Sequence, residues 1–235
     1  MHIGDFHIHT TASIDGTISP GQLIQRAKHV GLTCLAVTDH DSIEGAREVE
    51  KHAPFPVIIG EEVTTSGGHV IGLFLQERIV PGMSVPDTIA AIKSQGGLAV
   101  APHPFVRLAR ADALQDQFVK HWNLFDVVEV KNSNNPMIWD CEKALRFANE
   151  RRIPCLTGSD THHLCGVGSN RVFLKDVSTP EGFMRSLASA TFDAKVHRPT
   201  YFAKFVLNQL AFRIKDMYQG KGIERFRDEI ALQGS

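Results

Sequence analysis

Several large classes of protein are excluded by what this sequence lacks. The four cysteines, Cys34, Cys141, Cys155 and Cys165, include no Cys-x-x-Cys pair, and such scattered residues are typical of reduced thiols in a cytosolic protein. The formal net charge is only −1, so the composition does not demand nucleic acid or a membrane surface as a partner. No basic segment followed by an apolar one begins the chain, and no apolar run reaches membrane-spanning length. We therefore expect a cytoplasmic protein with no signal peptide and no membrane partner.

Common motifs for phosphate binding and nucleophilic catalysis are also missing. The glycine-rich stretches SGGH and GVGSN have neither P-loop nor dinucleotide-binding spacing. No Gly-x-Ser-x-Gly elbow is present, and nothing favours a serine or cysteine nucleophile. Any chemistry must therefore come from other residues.

Short apolar runs that alternate with helical patterns indicate the fold class. CLAVTDH, FPVIIGEE and LAVAPHP are examples, and runs of this kind are typical of buried parallel strands between helices. With 235 residues, of which 43% are hydrophobic, the chain is long enough for one large barrel. We predict an α/β protein, a β/α barrel of about seven strands, to which RVFLKD adds a short edge strand.

Two helix starts are predicted from their capping residues. Ser19 is a suitable N-cap, Pro20 fits the first helical position, and Gly31 ends the helix that follows. Asp41 is predicted to cap the next helix, where Glu44 completes a capping box.

The pattern changes after Pro199, where helical spacing of apolar residues replaces the strand pattern. We predict a barrel over residues 1–199 and a C-terminal helical extension over residues 200–235. Six Lys or Arg and two acidic residues lie between Thr200 and Arg227, so we expect an appendage that packs on the barrel and exposes a basic face. The alternative is an arm that contacts a partner, a second subunit or a polyanion.

Polar residues collect where the predicted strands end. Functional residues of a β/α barrel gather at the carboxyl ends of its strands, and five predicted strands end here in His, Asp or Glu. These residues are His7 and His9, Asp39 and His40, Glu61 and Glu62, His103, and Asp160 and His162. A single such histidine is more often a core or surface residue, but five coincidences at one rim favour a functional site.

The residue types at this rim predict a metal centre. His7 and His9 alternate around Ile8, so both point to the same side of the first strand, where two imidazoles bind a divalent transition metal. A carboxylate such as Glu62 can bridge two ions, and such a pair lowers the pKa of a shared water and holds a phosphoryl or acyl oxygen. Histidine mixed with carboxylate favours Mn, Fe or Zn and argues against a closed structural zinc–cysteine site.

Six motifs carry a resemblance to a known family. The sequence resembles the PHP family (polymerase and histidinol phosphatase domain), whose motifs occur here in the family's order from Asp5 to about His162. The motifs are DFHIHTTASIDG, VTDHDS, IIGEEVTT, HVIGLF, VAPHP and TGSDTHH. The resemblance implies a distorted (β/α)7 barrel, two or three divalent ions, and hydrolysis, in most members, of phosphate esters.

The resemblance also implies which residues hold the ions. The implied ligands are His7, His9, Glu62 and Asp160 for the first ion, Glu62, His69 and His103 for the second, and Asp15, His40 and His162 for the third. Many relatives carry histidine at the position of Asp15, so the ion count is expected to be two or three. His69 rests on the family match, because it lies at the start of a predicted strand rather than at its end.

A phosphate ester also needs positive charge beyond the metal ions. Arg107, shortly after the fifth strand, is the first candidate to contact the phosphate, followed by Arg171 and Lys131. The alternative for each is a solvated basic side chain. Asp160 and His162 are the candidates for proton transfer, and with Arg107 they form the predicted catalytic set.

Three further acidic residues are given supporting roles. Glu129, on the sixth predicted strand, is placed to orient a ligand histidine. Asp39 is expected to orient its neighbour or to cap a turn. Glu61 is expected to support the ligands or to lie at the surface.

The function expected from these features is that of a metal-dependent phosphoesterase. The substrate would be a phosphate mono- or diester (a nucleotide, an oligonucleotide end or a small metabolite phosphate), attacked by a hydroxide that bridges the metal ions. The alternatives are an amidohydrolase-like hydrolase of a C–N or C–O bond and a non-catalytic interaction module. The opening motif is most similar to the PHP subgroup that includes nucleotide and oligoribonucleotide phosphoesterases. That subgroup's lid insertion is missing, since only about two dozen residues separate Leu75 from Ala99.

Overall fold

The structure, a computed structural model, describes residues 1–106, 114–134 and 138–194. In these ranges the strands are β1 (His2–Asp5), β2 (Cys34–Val37), β3 (Val57–Thr65), β4 (Gly68–Leu73), β5 (Leu98–Ala101), β6 (Val127–Asn132), β7 (Cys155–Gly158), β8 (Asn170–Leu174) and β9 (Thr191–Ala194). The α-helices are α1 (Pro20–His29), α2 (Glu44–His52), α3 (Val85–Ser94), α4 (Gln115–His121), α5 (Ile138–Arg151) and α6 (Pro180–Leu187). Arg107 and the predicted C-terminal extension lie outside the described residues.

One sheet contains all nine of these strands, in the order β7-β6-β5-β4-β3-β2-β1-β8-β9. Strand β2 pairs in parallel with β1 and β3, and β6 pairs in parallel with β5 and β7. Beyond the regular strands, the amide of Asp160 donates to the carbonyl of His7 at 2.8 Å, and the amide of His9 donates to that of Thr161 at 3.0 Å. These bonds join the continuation of β7 to that of β1, so the sheet is a nearly closed barrel. The predicted α/β barrel class is confirmed.

Two strands differ from their predicted places. Strand β4 is antiparallel to both β3 and β5, because the turn at Ser66 and Gly67 is too short for the crossover that parallel strands require. Gly68 turns the chain there with a φ of 106°, a conformation that favours glycine. The RVFLKD segment, predicted as an edge strand, forms β8 inside the sheet between β1 and β9; β9 is the edge strand.

The two predicted helix caps have different outcomes. Ser19 caps α1 as predicted: its hydroxyl accepts from the amide of Gln22, whose side chain accepts in return from the amide of Ser19. The Asp41 cap is wrong, because α2 begins at Glu44 without a side-chain cap. Asp41 instead has a φ of 51° and accepts from the amide of Thr64 at 2.7 Å, so a tertiary contact replaces the local one.

The strands and helix α6 enclose an apolar core. One buried cluster takes residues from seven of the strands, among them Ala36, Val100 and Leu156, together with Phe6 just beyond β1. Helix α6 adds Phe183, whose ring lies edge-on to Phe6 at a centroid distance of 5.2 Å. This helix follows the end of β8 that pairs with the start of β1, so it lies at the end of the barrel opposite to the carboxyl ends of the parallel strands. None of the helices in the described ranges has the length and apolar character needed to cross a bilayer.

Candidate metal centre

The structure gathers the predicted metal ligands at the carboxyl ends of the parallel strands. Three overlapping clusters form, within each of which one ligand atom per residue lies within 4.8 Å of the others. The clusters are His7, His9, Glu62 and Asp160; His40, Glu62 and His69; and His9, Asp15, His40 and His162. His103 lies beside the second cluster, with Nε2 3.5 Å from Oε1 of Glu62.

Four of the six distances between the ligand atoms of the first cluster are close to those of a four-coordinate metal site. Nε2 of His7 lies 3.1 Å from Oε2 of Glu62 and 3.4 Å from Oδ1 of Asp160. The corresponding distances from Nε2 of His9 are 3.2 and 3.3 Å. A tetrahedral ion with bonds of about 2.0–2.1 Å separates its ligand atoms by roughly 3.3 Å. These four side chains therefore fit one divalent ion as they stand.

Glu62 connects the first cluster to the second. Its Oε2 faces His7 and His9, whereas its Oε1 lies 3.3 Å from Nδ1 of His69 and 3.5 Å from Nε2 of His103. Nδ1 of His40 also lies 3.7 Å from Oε2. The two oxygens of one carboxylate thus face different sets of imidazoles, which is the arrangement of a bridging ligand. His69 reaches this rim from the start of β4 because β4 runs antiparallel to β3, with His69 opposite Thr64.

The third cluster surrounds Asp15. Its Oδ2 lies 3.2 Å from Nε2 of His162 and 4.0 Å from Nε2 of His40. The ring of His162 stacks on that of His9 at a centroid distance of 4.1 Å, so the third cluster is in direct contact with the first. The aspartate supplies the carboxylate of this cluster.

Several buried atoms of the centre form no hydrogen bond with another described residue, although they lie next to charged groups. They include Nε2 of His9, Oε1 of Glu62 and Oδ1 of Asp15. Leaving such atoms buried without a partner costs about 1–3 kcal/mol each. Coordination of divalent ions would satisfy them, so the residues present fit a metal centre.

Two residues that the sequence did not single out hold ligands in place. The hydroxyl of Ser13 lies 3.0 Å from Nδ1 of His9 and accepts from the amide of His40 at 2.7 Å. The side-chain amide of Asn132 donates to Oδ2 of Asp160 at 3.1 Å. A serine or asparagine after a strand is too common a signal to mark either residue in advance.

The predicted supporting residues Asp39 and Glu61 have different surroundings. Asp39 accepts from the amide and the hydroxyl of Thr10, at 2.5 and 2.7 Å, and so holds the loop that follows β1. Glu61 is fully buried rather than on the surface, and its Oε2 accepts from the amide of Ile79 at 2.8 Å.

Burial and the mixture of charges shift the pKa values of the centre. Burial by itself lowers the pKa of His9, but the carboxylates of Asp160 and Glu62 beside its ring raise it to about 10. Burial also lowers the pKa of His103, and Glu62 followed by Asp160 raises it to about 9. Burial raises the pKa of Glu62, yet neighbouring imidazoles, first that of His7, hold it well below its usual range. The centre therefore strongly favours bound positive charge.

The two predicted phosphate contacts that lie in the described ranges, Arg171 and Lys131, have different surroundings. Nε of Arg171 donates to the carbonyl of Gly168 at 3.2 Å. Lys131 borders a small cavity of about 10 Å³ that His103 also lines. Arg107 lies outside the described residues.

Comparison with known proteins agrees with a barrel that carries a histidine and carboxylate metal centre. Residues 5–125 match the PHP domain family, and residues 139–192 match a family described as PHP-associated. The chain belongs to the PHP domain family. Family membership and the clusters together identify a metal-dependent, phosphoesterase-like hydrolase.

Three curated relatives share part of their sequence with this chain. An uncharacterised protein of Methanocaldococcus jannaschii is 40% identical over 120 residues, which are 46% of this chain and 70% of the relative. A second uncharacterised protein of that organism is 30% identical over 171 residues, 70% of this chain and 67% of the relative. A protein of Haemophilus influenzae named 5'-3' exoribonuclease is 42% identical over 101 residues, which are 40% of this chain and 34% of that protein.

A solved structure from Bacteroides vulgatus shares the fold. It is a two-domain protein described as containing a predicted PHP-like metal-dependent phosphoesterase. The TM-score is 0.65 at 18% identity, and the match covers 83% of this chain and 65% of the other.

Proposed function

We propose that this protein hydrolyses a phosphate mono- or diester of a nucleotide, of an oligonucleotide end or of a small metabolite. The observation that carries the proposal is the position of Glu62, whose two oxygens face different sets of imidazoles. Such a carboxylate suits a pair of divalent ions, which is the arrangement used for in-line displacement at phosphorus. Family membership and the relative named as an exoribonuclease support the same substrate class.

The residues present suit two or three ions of Mn, Zn or Fe, because imidazoles and carboxylates make up the whole ligand set. Bound ions would lower the pKa of a shared water and neutralise charge on the phosphoryl oxygens. His7, His9 and Glu62 would hold the ions in fixed positions. Asp160 belongs to the first cluster and His162 to the third, with Nδ1 of His162 3.9 Å from Oδ1 of Asp160. Either can take up a proton from the attacking water or give one to the leaving group.

Positive side chains complete the proposed phosphate site. Arg107 is proposed as the main contact, since it follows His103 by four residues in the sequence. Lys131 is proposed as the second, because it borders the same small cavity as His103. Arg171 is the weaker candidate, since its guanidinium is already bound to the carbonyl of Gly168. We also propose a cytoplasmic location, because the four cysteines are free thiols.

The test is hydrolysis by the full chain, stripped with a chelator and reloaded with Mn²⁺. The panel contains p-nitrophenyl phosphate, its bis ester, nucleoside monophosphates and a 5'-phosphorylated oligoribonucleotide, beside amides and lactones. We expect turnover of at least one phosphate ester, and its loss in a His7→Ala, His9→Ala double variant. Turnover of the amides or lactones alone would identify the C–N or C–O hydrolase instead. No turnover of any compound would contradict both enzymatic functions.

A matched control separates the loss of these ligands from the loss of a histidine in general. His52 is exposed at the end of α2, where its ring lies 3.0 Å from Glu48. The His52→Ala variant should keep full activity. If the double variant keeps its activity as well, the proposed centre is not the site of hydrolysis.

A further inference from the structure

Glu129 is a buried carboxylate on β6 whose two oxygens have different partners. Its Oε1 lies 3.0 Å from Nδ1 of His7. Its Oε2 accepts from the backbone amide of His103 and from the side-chain amide of Asn132, both at 2.9 Å. Glu129 is 3% exposed, so water does not compete for these positions.

The two donors on Oε2 determine which atoms donate and which accept in this group of hydrogen bonds. A backbone amide and the NH2 group of asparagine only donate, and an ionised carboxylate only accepts. The orientation of Asn132 is set independently, because its Oδ1 accepts from the amide of Asn134 at 2.8 Å. Nδ1 of His7 must therefore donate to the ionised Glu129 at Oε1, and in the neutral imidazole, the form that binds a metal ion, this leaves the lone pair on Nε2.

We propose that Glu129 is a positioning residue that fixes the tautomer of His7, so that Nε2 is the metal-binding atom. Nε2 is the atom that faces Glu62 and Asp160 in the first cluster, at 3.1 and 3.4 Å. A histidine held in the opposite tautomer would carry a proton at Nε2 and could not bind an ion there.

The same carboxylate acts on the second cluster through the backbone. His103 has a φ of 25° and precedes Pro104, a strained combination that persists only when its surroundings enforce it. The bond from its amide to Glu129 is such a restraint. Asn132 extends the effect, because its side-chain amide also donates to Oδ2 of Asp160 at 3.1 Å. Glu129 and Asn132 thus form one support for ligands on both sides of Glu62.

Glu129→Gln tests this direction of hydrogen bonding, because glutamine has nearly the same side-chain shape as glutamate but can donate. The amide of His103 and the side chain of Asn132 can only donate, so they will donate to the single carbonyl oxygen of the new glutamine. The new NH2 group then faces Nδ1 of His7, which must accept. Nε2 becomes protonated, and His7 is lost as a ligand.

The experiment measures Zn²⁺ binding to the full chain after chelator treatment, by competition with a chromophoric chelator and by counting bound metal. We expect Glu129→Gln to weaken the first ion by about 100-fold, the upper end of the range for such supporting partners. The ¹⁵N shifts of the His7 ring should show protonated Nδ1 in the zinc-loaded wild type and protonated Nε2 in the variant. A variant with wild-type zinc affinity and an unchanged ¹⁵N pattern would overturn the proposal.

A second variant distinguishes polarity from packing. Asn132→Ala removes a donor but leaves the carboxylate, so the His7 tautomer should persist and zinc affinity should fall by only about 10-fold. Equal losses of zinc affinity in the two variants would show that Glu129 has a merely structural role. The same conclusion would follow if Glu129→Gln failed to fold and Asn132→Ala bound no zinc. Glu150→Gln, an exposed change on α5 beside Arg151, is the control that should bind zinc normally. The inference rests on the metal centre of the proposed function, but zinc binding needs no substrate, so its failure is distinguishable from failure of the phosphoesterase.

Discussion

Gly158 packs against His7 with no room for a side chain between them. A β-carbon at position 158 would lie 2.5 Å from Cβ of His7 and 2.2 Å from Oε1 of Glu129. The glycine at the end of β7 therefore allows the bond between His7 and Glu129 to form. Its carbonyl is used as well, because it accepts from the amide of Ser133 at 3.2 Å.

The first prediction concerns this close approach. We expect Gly158→Ala to destabilise the protein by about 1–3 kcal/mol, because the new methyl group overpacks a rigid site. We also expect weaker zinc binding, because His7 and Glu129 must move. Denaturant unfolding of the metal-free protein and zinc titration measure the two effects. Gly21→Ala in α1 is the control, since nothing lies within 4 Å of the added carbon, and it should stabilise the helix by about 0.5–1 kcal/mol. Equal stabilities for the two variants would contradict the packing argument.

The second prediction concerns Ser13. Ser13→Ala leaves the half-buried amide of His40 without its acceptor and should cost about 1 kcal/mol. Because the hydroxyl also contacts Nδ1 of His9, the variant should bind zinc about 10-fold more weakly. Ser19→Ala removes the cap of α1 and should cost about 1 kcal/mol with no change in zinc affinity. Unchanged zinc binding in Ser13→Ala would show that this serine does not support the centre.

The ligands that follow parallel strands were predictable, because the carboxyl ends of all parallel strands lie at the same end of a barrel. The sequence places His40 and His103 directly after apolar runs, and the sheet brings both to one end. His69 did not follow from that rule, since the rule assumes parallel strands. The short turn at Ser66 and Gly67 was the local signal that β4 runs antiparallel.

The supporting contacts were less accessible from the sequence, because they join segments that are distant along the chain. The bond between Asn132 and Asp160 spans 28 positions, and that between Ser13 and His40 spans 27. No periodicity marks such pairs. Asp41 shows that a local pattern can also mislead. Its capping sequence predicts a helix start, but its side chain accepts from the distant amide of Thr64 instead.

The third prediction concerns the number of ions. Asp15 is the carboxylate of the third cluster, with Oδ2 3.2 Å from Nε2 of His162. We expect Asp15→Ala to bind one ion fewer than the wild type, because the remaining imidazoles lack a charged partner. Equilibrium dialysis at a fixed free Mn²⁺ concentration, followed by metal analysis, gives the count. Asp15→His, which restores a ligand, should recover the ion. Identical counts in the wild type and Asp15→Ala would show that Asp15 is not needed to hold an ion.

The fourth prediction concerns metal removal. Buried carboxylates and imidazoles crowd together at Glu62, and ions that bind only the folded state stabilise it by mass action. At free Zn²⁺ or Mn²⁺ of about 100 times Kd, the gain is about 2.7 kcal/mol, which corresponds to a rise in Tm of roughly 5–10 °C for a domain of this size. Thermal unfolding with excess chelator and with added metal measures the shift. The His7→Ala, His9→Ala double variant should lose most of it, whereas His52→Ala should keep it. A wild-type Tm that does not respond to metal would show that the folded centre does not bind these ions.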